Sequence, residues 1–486
     1  MGDITLSFGW FLLLLILACV AILDWLLLPS VRWYFRRRVN RVLEELNRRL
    51  PIRLQAFKLT KRQVLIDRLL YDPEVLALAE KTAGHEQQPL PVVMGRVERY
   101  AREIVPAFNA YFYFRFGYWL ARKLARSFYR VRLGWAAEPE YAKLDPDRST
   151  LVFVMNHRSN MDYVLVTYMA ADRTALSYAV GEWARIWPLQ SLIRAMGAYF
   201  VRRGSGNALY RKVLERYIQM ACENGVTQAL YPEGGLSRDG RLGRPKLGVL
   251  DYMWRKFDLQ SSRDIVFIPV GLNYDRVLED RHLLEQAHSK ANSGSEKGAT
   301  RSTWAFLGRN LWLMLTQRWF RFGYACANFG PPISTRAWFQ QRSMDPQAMS
   351  REERLQQVQC FADELLYQVG QVVPVTPVAL VATCMLQSER PLRSRLELKA
   401  RAFALAGRLE QVGARVYVPR KDRDYALEVG LRMLRLRHLV VENEDGLYVP
   451  EEQREILEYY ANSIEHYLES NHDAEVNPVQ NLTSHT

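Results

Sequence analysis

The chain has 486 residues, 49% of them apolar and 24% charged, and a formal net charge of +14. That length allows roughly two to four structural units, and the apolar share excludes an extensively disordered chain. The five cysteines (Cys19, Cys222, Cys326, Cys360, Cys384) are scattered, odd in number and never in a C-x-x-C pair, which argues against a zinc site or a disulfide framework and for a reducing compartment around the main body. The basic balance fits an anionic partner: nucleic acid, an anionic membrane surface or a phosphorylated substrate.

Phe8 to Leu28 is the most hydrophobic run, 21 residues with Asp24 as its one charge. About 20 residues span a bilayer, so the run is expected to be a membrane helix, either spanning or dipping. Arg32, Arg36, Arg37, Arg38 and Arg41 follow it and place that side in the cytoplasm. Residues 30–145 read as mostly helical. Within them Ala107–Trp135 is aromatic on one side and basic on the other. Two readings stay open for it: a membrane-interface segment with Arg115, Arg122, Lys123, Arg126 and Arg130 toward headgroups, or an amphipathic helix packed on the next domain.

From about Ser149 to Ile333 short apolar runs alternate with helical patterns, which argues α/β. Expected strands are Leu151–Met155, Ala175–Ala179, Tyr199–Val201, Thr227–Tyr231 and Ile265–Val270. Expected helices are Met161–Ala171, Pro188–Met196, Asn207–Cys222 and Gly248–Phe257. Pro269 suits an edge position or a strand end, since proline cannot donate to a ladder. His282–Arg301 reads as a polar surface loop and Trp304–Phe320 as an aromatic-rich helix. Residues 336–486 read as mostly helical, with a polar tail after Asn471.

Four stretches carry chemistry. The first strand stops at Asn156-His157, and a helix capped by Ser159 or Asn160 begins before Asp162. A separation of five does not make neighbours on one regular helix. Across a strand–loop–helix turn the chain can fold back, bringing the Asp162 carboxylate to the His157 imidazole and making a supported general base. Arg202 and Arg203 stand at a strand end beside Gly204-Ser205-Gly206, and arginine forks match phosphate oxygens. Pro232-Glu233-Gly234-Gly235 makes a tight turn, and Ser237, Arg238, Arg241, Arg244 and Lys246 follow within ten residues. This reads as an anion-binding loop organised by Glu233. Ile268-Pro269-Val270 closes the last strand.

Together, N-H-x4-D (Asn156, His157, Asp162), F-x-R-R (Phe200, Arg202, Arg203), E-G-G-x-S-R (Glu233, Gly234, Gly235, Ser237, Arg238) and I-P-V (Ile268, Pro269, Val270) occur in order and strongly resemble the glycerolipid acyltransferases. The EGGLSRDGR form of the third block looks like the glycerol-3-phosphate acyltransferase branch, as do Asn328-Phe329-Gly330, Asp72-Pro73-Glu74-Val75 and Tyr460-Ala461-Asn462-Ser463-Ile464. The resemblance runs from about residue 70 to 467. It implies a mixed sheet flanked by helices in an acyltransferase catalytic domain over 146–335. Around that domain the hydropathy and helical patterning set the membrane segment 1–29, helical regions 30–145 and 336–470, and a flexible tail 471–486.

The resemblance also implies transfer of an acyl group from acyl-CoA or acyl-ACP to the sn-1 hydroxyl of glycerol 3-phosphate, at the cytoplasmic side of a membrane whose phospholipids are partners. His157 would be the base and Asp162 its support. Arg202, Arg203, Arg238 and Arg241 would hold the acceptor phosphate, with Glu233, Gly234, Gly235, Ser237 and Lys246 supporting. Direct transfer from a base needs no cofactor, metal or protein nucleophile, and no G-x-S-x-G is present. Leu236 stands where that branch typically has arginine, which keeps dihydroxyacetone phosphate and lysophosphatidate open as acceptors. A basic nucleic-acid-binding protein is the rival from another class. It lacks helix-turn-helix, RNP or zinc-finger patterns, and nucleic acid is not among the expected partners.

Overall fold

Three short parallel strands side by side set the geometry of everything functional in this chain. The computed structural model describes residues 55–469 except 136–137, 142, 171–174, 182–188, 203–204, 290–321 and 389. The expected membrane segment Phe8–Leu28, the helix at Trp304–Phe320 and the tail lie outside the described residues. Among the described residues no helix is long and apolar enough to cross a membrane.

The strands are β1 (Arg130–Trp135), β2 (Ser149–Met155), β3 (Ser177–Val180), β4 (Tyr199–Phe200), β5 (Gln228–Leu230), β6 (Asp264–Tyr274), β7 (Tyr324–Phe329) and β8 (Ile333–Ser334), with a separate hairpin of β9 (Val441–Asn443) and β10 (Gly446–Tyr448). The main sheet runs β1-β7-β6-β2-β5-β3-β4, with β8 also paired to β6. Strands β6, β2, β5, β3 and β4 are mutually parallel, while β7 and β8 run antiparallel to β6. A parallel strand is covered on both faces and so reads as a continuous apolar run. That is why the Leu151–Met155 run becomes β2, buried at six of its seven positions.

The helices used below are α1 (Pro73–Glu86), α2 (Leu90–Ile104), α3 (Tyr118–Phe128), α4 (Met161–Ala170), α5 (Ala208–Glu223), α6 (Gly248–Trp254), α7 (Asp280–Ser289), α8 (Arg351–Gly370) and α9 (Arg454–Ala461). Helices α1, α2, α5, α6 and α8 share one core with Val152, Val154, Ile265 and Phe267 of the sheet. Its centre is Trp254, whose ring lies 4.5 Å from Phe339, 4.8 Å from Phe361 and 5.2 Å from Trp338.

Three expectations are corrected. The helix expected through Ala107–Trp135 ends at Phe128, and Arg130–Trp135 is a strand parallel to β7. Its Arg-Val-Arg-Leu alternation has the period of a strand, 2, and not that of a helix. Arg130 therefore turns away from a headgroup role and bonds the hydroxyls of Tyr324 and Tyr425, while Arg132 bonds Tyr417. Pro269 is not at an edge or a strand end but within β6, opposite Val154. On its other side β8 stops pairing at Phe267 and β7 begins at Val270, so Pro269 faces the gap between two partners, where no ladder N–H is required. Its carbonyl accepts from Gly330 N at 2.8 Å in that gap. Finally, His282–Ser289 belongs to α7 and not to a loop, because Leu283 and Leu284 are buried on one side of it.

Candidate active site

All five parallel strands end on the same edge of the sheet, the edge where α/β folds bind ligands. Asn156 and His157 leave β2 there. The Asn156 side chain acts as an extra ladder residue: its Oδ1 accepts from Leu272 N at 2.7 Å and its Nδ2 donates to Leu272 O at 2.9 Å. Asn156→Ala is expected to strand a buried donor and acceptor, at about 1–3 kcal/mol each. Urea unfolding of the variant checks this, and an unchanged midpoint would contradict it.

The chain then folds back as expected. Helix α4 begins at Met161, whose N–H donates to Ser159 Oγ at 3.1 Å, and Asp162 stands in its first turn. Asp162 Oδ2 accepts from His157 Nδ1 at 2.8 Å, from Arg158 N at 2.7 Å and from Ser159 N at 3.0 Å, and Oδ1 accepts from the Tyr274 hydroxyl at 2.5 Å. Two backbone N–H groups and a tyrosine all donate to this carboxylate, so it acts as an acceptor and the imidazole Nδ1 carries the proton. The Nε2 lone pair is left as the basic position. The nearest hydroxyl to it is Tyr163 at 3.5 Å, beyond a firm hydrogen bond. Tyr231 stacks on the imidazole with ring centres 4.1 Å apart. His157 is 3% exposed and Asp162 fully buried. Burial and the adjoining Asp162 push the Tyr274 phenol well above its ordinary pKa and keep it a neutral donor.

Strand β5 is the immediate neighbour of β2 and delivers the Glu233–Lys246 loop, the expected anion site. Glu233 Oε1 accepts from His157 N at 2.9 Å and Oε2 from Gly243 N at 2.8 Å. Burial pushes the Glu233 pKa up, while those two N–H groups, His157 and Arg158 pull against it. Ser237 N donates to His157 O at 2.8 Å. The loop thus holds the base residue by both its amide and its carbonyl. Inside the loop Ser237 Oγ donates to Arg241 O at 2.8 Å and accepts from Gly240 N at 3.0 Å. Gly234 adopts φ +67°, and a side chain there would meet Lys246 Cγ at 2.9 Å. Lys246 N in turn donates to Pro232 O at 2.7 Å, and Gly235 completes the turn.

The expected anion ligands separate into groups. Arg238 follows Ser237 directly, is half-buried and has no side-chain partner among the described residues. Lys246 is exposed at the end of the same loop. Arg241 is exposed and paired with Glu465 at 2.8 Å. Arg202 is not brought to His157: β4 lies three strands from β2, roughly 14 Å at about 4.8 Å per strand. Its guanidinium already donates to both oxygens of Glu103 on α2, at 2.8 and 2.6 Å, and that carboxylate raises its pKa further. Arg203 lies outside the described residues.

Four participants carried no sequence signal. Tyr231 and Tyr163 pack on the imidazole, and Tyr274 reaches Asp162 from β6. Arg158 is 2% exposed, donates to Gly240 O and lies 4.8 Å over the Tyr459 ring of α9, joining the base, the loop and the C-terminal region. Only Tyr163 could have been suspected, since it directly follows Asp162.

Comparison with known proteins agrees with this geometry. The acyltransferase family model matches residues 139–273, the segment from before β2 to the end of β6. The model of the glycerol-3-phosphate acyltransferase C-terminal region matches residues 307–470. Residues 139–273 thus match an acyltransferase domain. Glycerol-3-phosphate acyltransferase of Pseudomonas paraeruginosa (strain DSM 24068 / PA7) is 27% identical over 453 residues, covering 88% of this chain and 51% of the relative. That of Haemophilus influenzae (strain PittEE) is 27% identical over 339 residues, 67% of this chain and 40% of the relative. The chain is thus similar to glycerol-3-phosphate acyltransferases over two matched segments, and it spans about half the length of the curated relatives it matches. The solved 1-acyl-sn-glycerophosphate (LPA) acyltransferase of Thermotoga maritima, 19% identical, overlaps 52% of this chain and 78% of its own with a TM-score of 0.27, too loosely to bear on the fold.

Proposed function

We propose that this chain transfers an acyl group from an acyl thioester, acyl-CoA or acyl-ACP, to the sn-1 hydroxyl of glycerol 3-phosphate, giving lysophosphatidate. The observation that carries this reading is the buried His157–Asp162 pair, its Nε2 left as the base and its backbone held by the anion loop. In the proposed reaction Nε2 takes the acceptor hydroxyl proton, the hydroxyl oxygen bonds to the thioester carbonyl carbon, and the carbon–sulfur bond breaks. The proton then passes to the departing thiolate. Arg238, Arg241 and Lys246 hold the acceptor phosphate, and Arg202, engaged by Glu103, is left out of that set. A fixed phosphate places the hydroxyl beside Nε2, an orientation effect that supplies much of the rate.

Leu236 makes the acceptor the part to test. Purified protein with palmitoyl-CoA is expected to acylate labelled glycerol 3-phosphate in preference to dihydroxyacetone phosphate or lysophosphatidate. Preference for either of the other two would overturn the acceptor assignment. No transfer from the CoA thioester calls for the acyl-ACP donor, and silence with both would overturn the activity.

We also propose attachment to the cytoplasmic face of a membrane through Phe8–Leu28, assisted by an exposed face running from Tyr111 into α3. Tyr111, Phe116 and Trp119 are exposed there at 36%, 42% and 52%. Arg115, Arg122, Lys123 and Arg126 are exposed beside them, Lys123 lies 5.1 Å over the Trp119 ring, and no acidic residue falls between Glu103 and Glu138. Exposed aromatics ringed by cations suit an anionic lipid interface. Deleting residues 1–29 is expected to move much of the protein off membranes. Any retained fraction is expected to fall when Phe116 and Trp119 are also changed to serine. Retention untouched by both changes would exclude this mode of attachment.

A further inference from the structure

An open pocket of about 300 Å³ lies between α1, α5, α6 and α8. Small-ligand sites begin near this volume, at roughly 300 Å³. Five cations line it (Arg211, Lys212, Arg255, Arg351 and Arg354), and Glu215 is the one carboxylate among the lining residues.

The carboxylates within reach are already shared. Glu215 pairs with Lys212 at 2.8 Å and with Arg255 at 2.6 Å. Asp251 pairs with Arg255 at 2.5 Å and with Arg354 at 3.0 Å. Glu74 pairs with Lys212 at 3.3 Å and is divided further between Lys256 and Arg216. The five lining cations thus share three carboxylates, Arg216 is itself paired with Asp72, and Glu352 and Glu353 stand in the first turn of α8. Arg211 and Arg351 receive no carboxylate among the described residues.

The helix geometry adds to the same sign. Ala208 and Arg211 stand in the first turn of α5, and Arg351 and Arg354 in the first turn of α8. Two long helices therefore bring their amino-terminal turns to one concavity; that of α8 is closed by the Ser350–Glu353 capping box, so the positive helix end is contributed by α5. Cations lining a low-dielectric concavity focus the field on whatever enters.

We propose that this pocket is a second anion site that takes a compact polyphosphate chain, free or carried by a nucleoside. Arg211 and Arg351 grip it from opposite walls, and the shared Lys212, Arg255 and Arg354 turn part of their hydrogen-bonding capacity toward it. Phosphate oxygens match the guanidinium forks, because each arginine can give them two parallel bonds. The site is built from residues the acylation reading does not use, so it stands or falls separately from that reading.

The test is calorimetric titration of the whole chain with inorganic triphosphate, repeated with ATP. Saturable triphosphate binding is expected in the wild type. It should weaken at least tenfold in the double variant Arg211→Ala/Arg351→Ala and stay within twofold in Arg238→Ala. Both substituted arginines are exposed and unpaired, so the double variant is expected to keep its melting temperature. Equal affinity for ATP and triphosphate assigns the site to the phosphate chain, and tighter ATP binding adds a contact to the nucleoside. Absence of saturable binding by either probe, an unaffected double variant, or loss confined to Arg238→Ala would overturn the proposal.

Discussion

His157→Ala is expected to lower turnover by about 10²–10⁴-fold, the range supplied by a positioned general base, with little change in fold. The imidazole Nε2 has only a long contact to the Tyr163 hydroxyl at 3.5 Å, and the His157 backbone bonds to Glu233 and Ser237 survive the substitution. Asp162 should separate two roles. Asp162→Asn can still accept from His157, Arg158 and Ser159 through its amide oxygen while its NH₂ donates to Tyr274. The tautomer is kept and only the charge that stabilises the imidazolium is lost, so the variant should fold and turn over more slowly. Asp162→Ala leaves two buried N–H groups, the imidazole and a tyrosine hydroxyl without their acceptor, at about 1–3 kcal/mol for each unsatisfied group. Turnover together with urea unfolding distinguishes the three variants. A His157→Ala protein within a few-fold of wild type would remove the base from the mechanism.

Gly240→Ala is expected to disable the anion loop by force of shape. Gly240 adopts φ +91°, where a side chain is strained, and an added Cβ would lie 2.0 Å from the Tyr459 carbonyl oxygen of α9. Backbone strain alone costs about 1–3 kcal/mol. The clash adds to it, because the obstacle is main chain and cannot rotate aside. Moving Gly240 also pulls on its N–H bond to Ser237 Oγ, on the Arg158 contact with its carbonyl, and on the Asn462 bond to Asp239 O at 2.9 Å. The expected phenotype is a lower melting temperature, faster proteolysis within 233–246 and a raised acceptor KM. Gly248→Ala is the control: a Cβ there meets nothing within 4 Å, so it should be neutral or slightly stabilising. Equal behaviour of the two alanine variants would show that the α9 contact does not hold the loop.

The parts of this architecture encoded locally were legible in the sequence. Apolar runs bounded by turns located β2 to β6, and the N-H-x4-D spacing located the His157–Asp162 contact. The reason that a spacing of five works became visible only in three dimensions: the carboxylate gathers the amides of residues 158 and 159 together with the imidazole. What depends on distant partners left no trace. Arg202 has the chemistry of a phosphate ligand, and nothing near it in sequence announces Glu103, 99 residues earlier. Tyr274 reaches Asp162 across 112 residues. Strand β1 was hidden by the aromatic, basic character it shares with the helix before it, and the position of Pro269 depends on where two other strands happen to stop. The division into regions was drawn at the end of the catalytic strands, yet Tyr459, Asn462 and Glu465 touch the anion loop from far beyond that line.

The double hold on His157 has a consequence for redesign. Exchanging the segment from Glu233 to Lys246 for that of a relative with another acceptor would replace the two groups, Glu233 and Ser237, that fix the main chain of the proton acceptor. Acceptor choice and base geometry would then change together, so a graft that kept the recipient's Glu233 and Ser237 while importing the intervening side chains would be the variant in which selectivity moves and turnover is preserved.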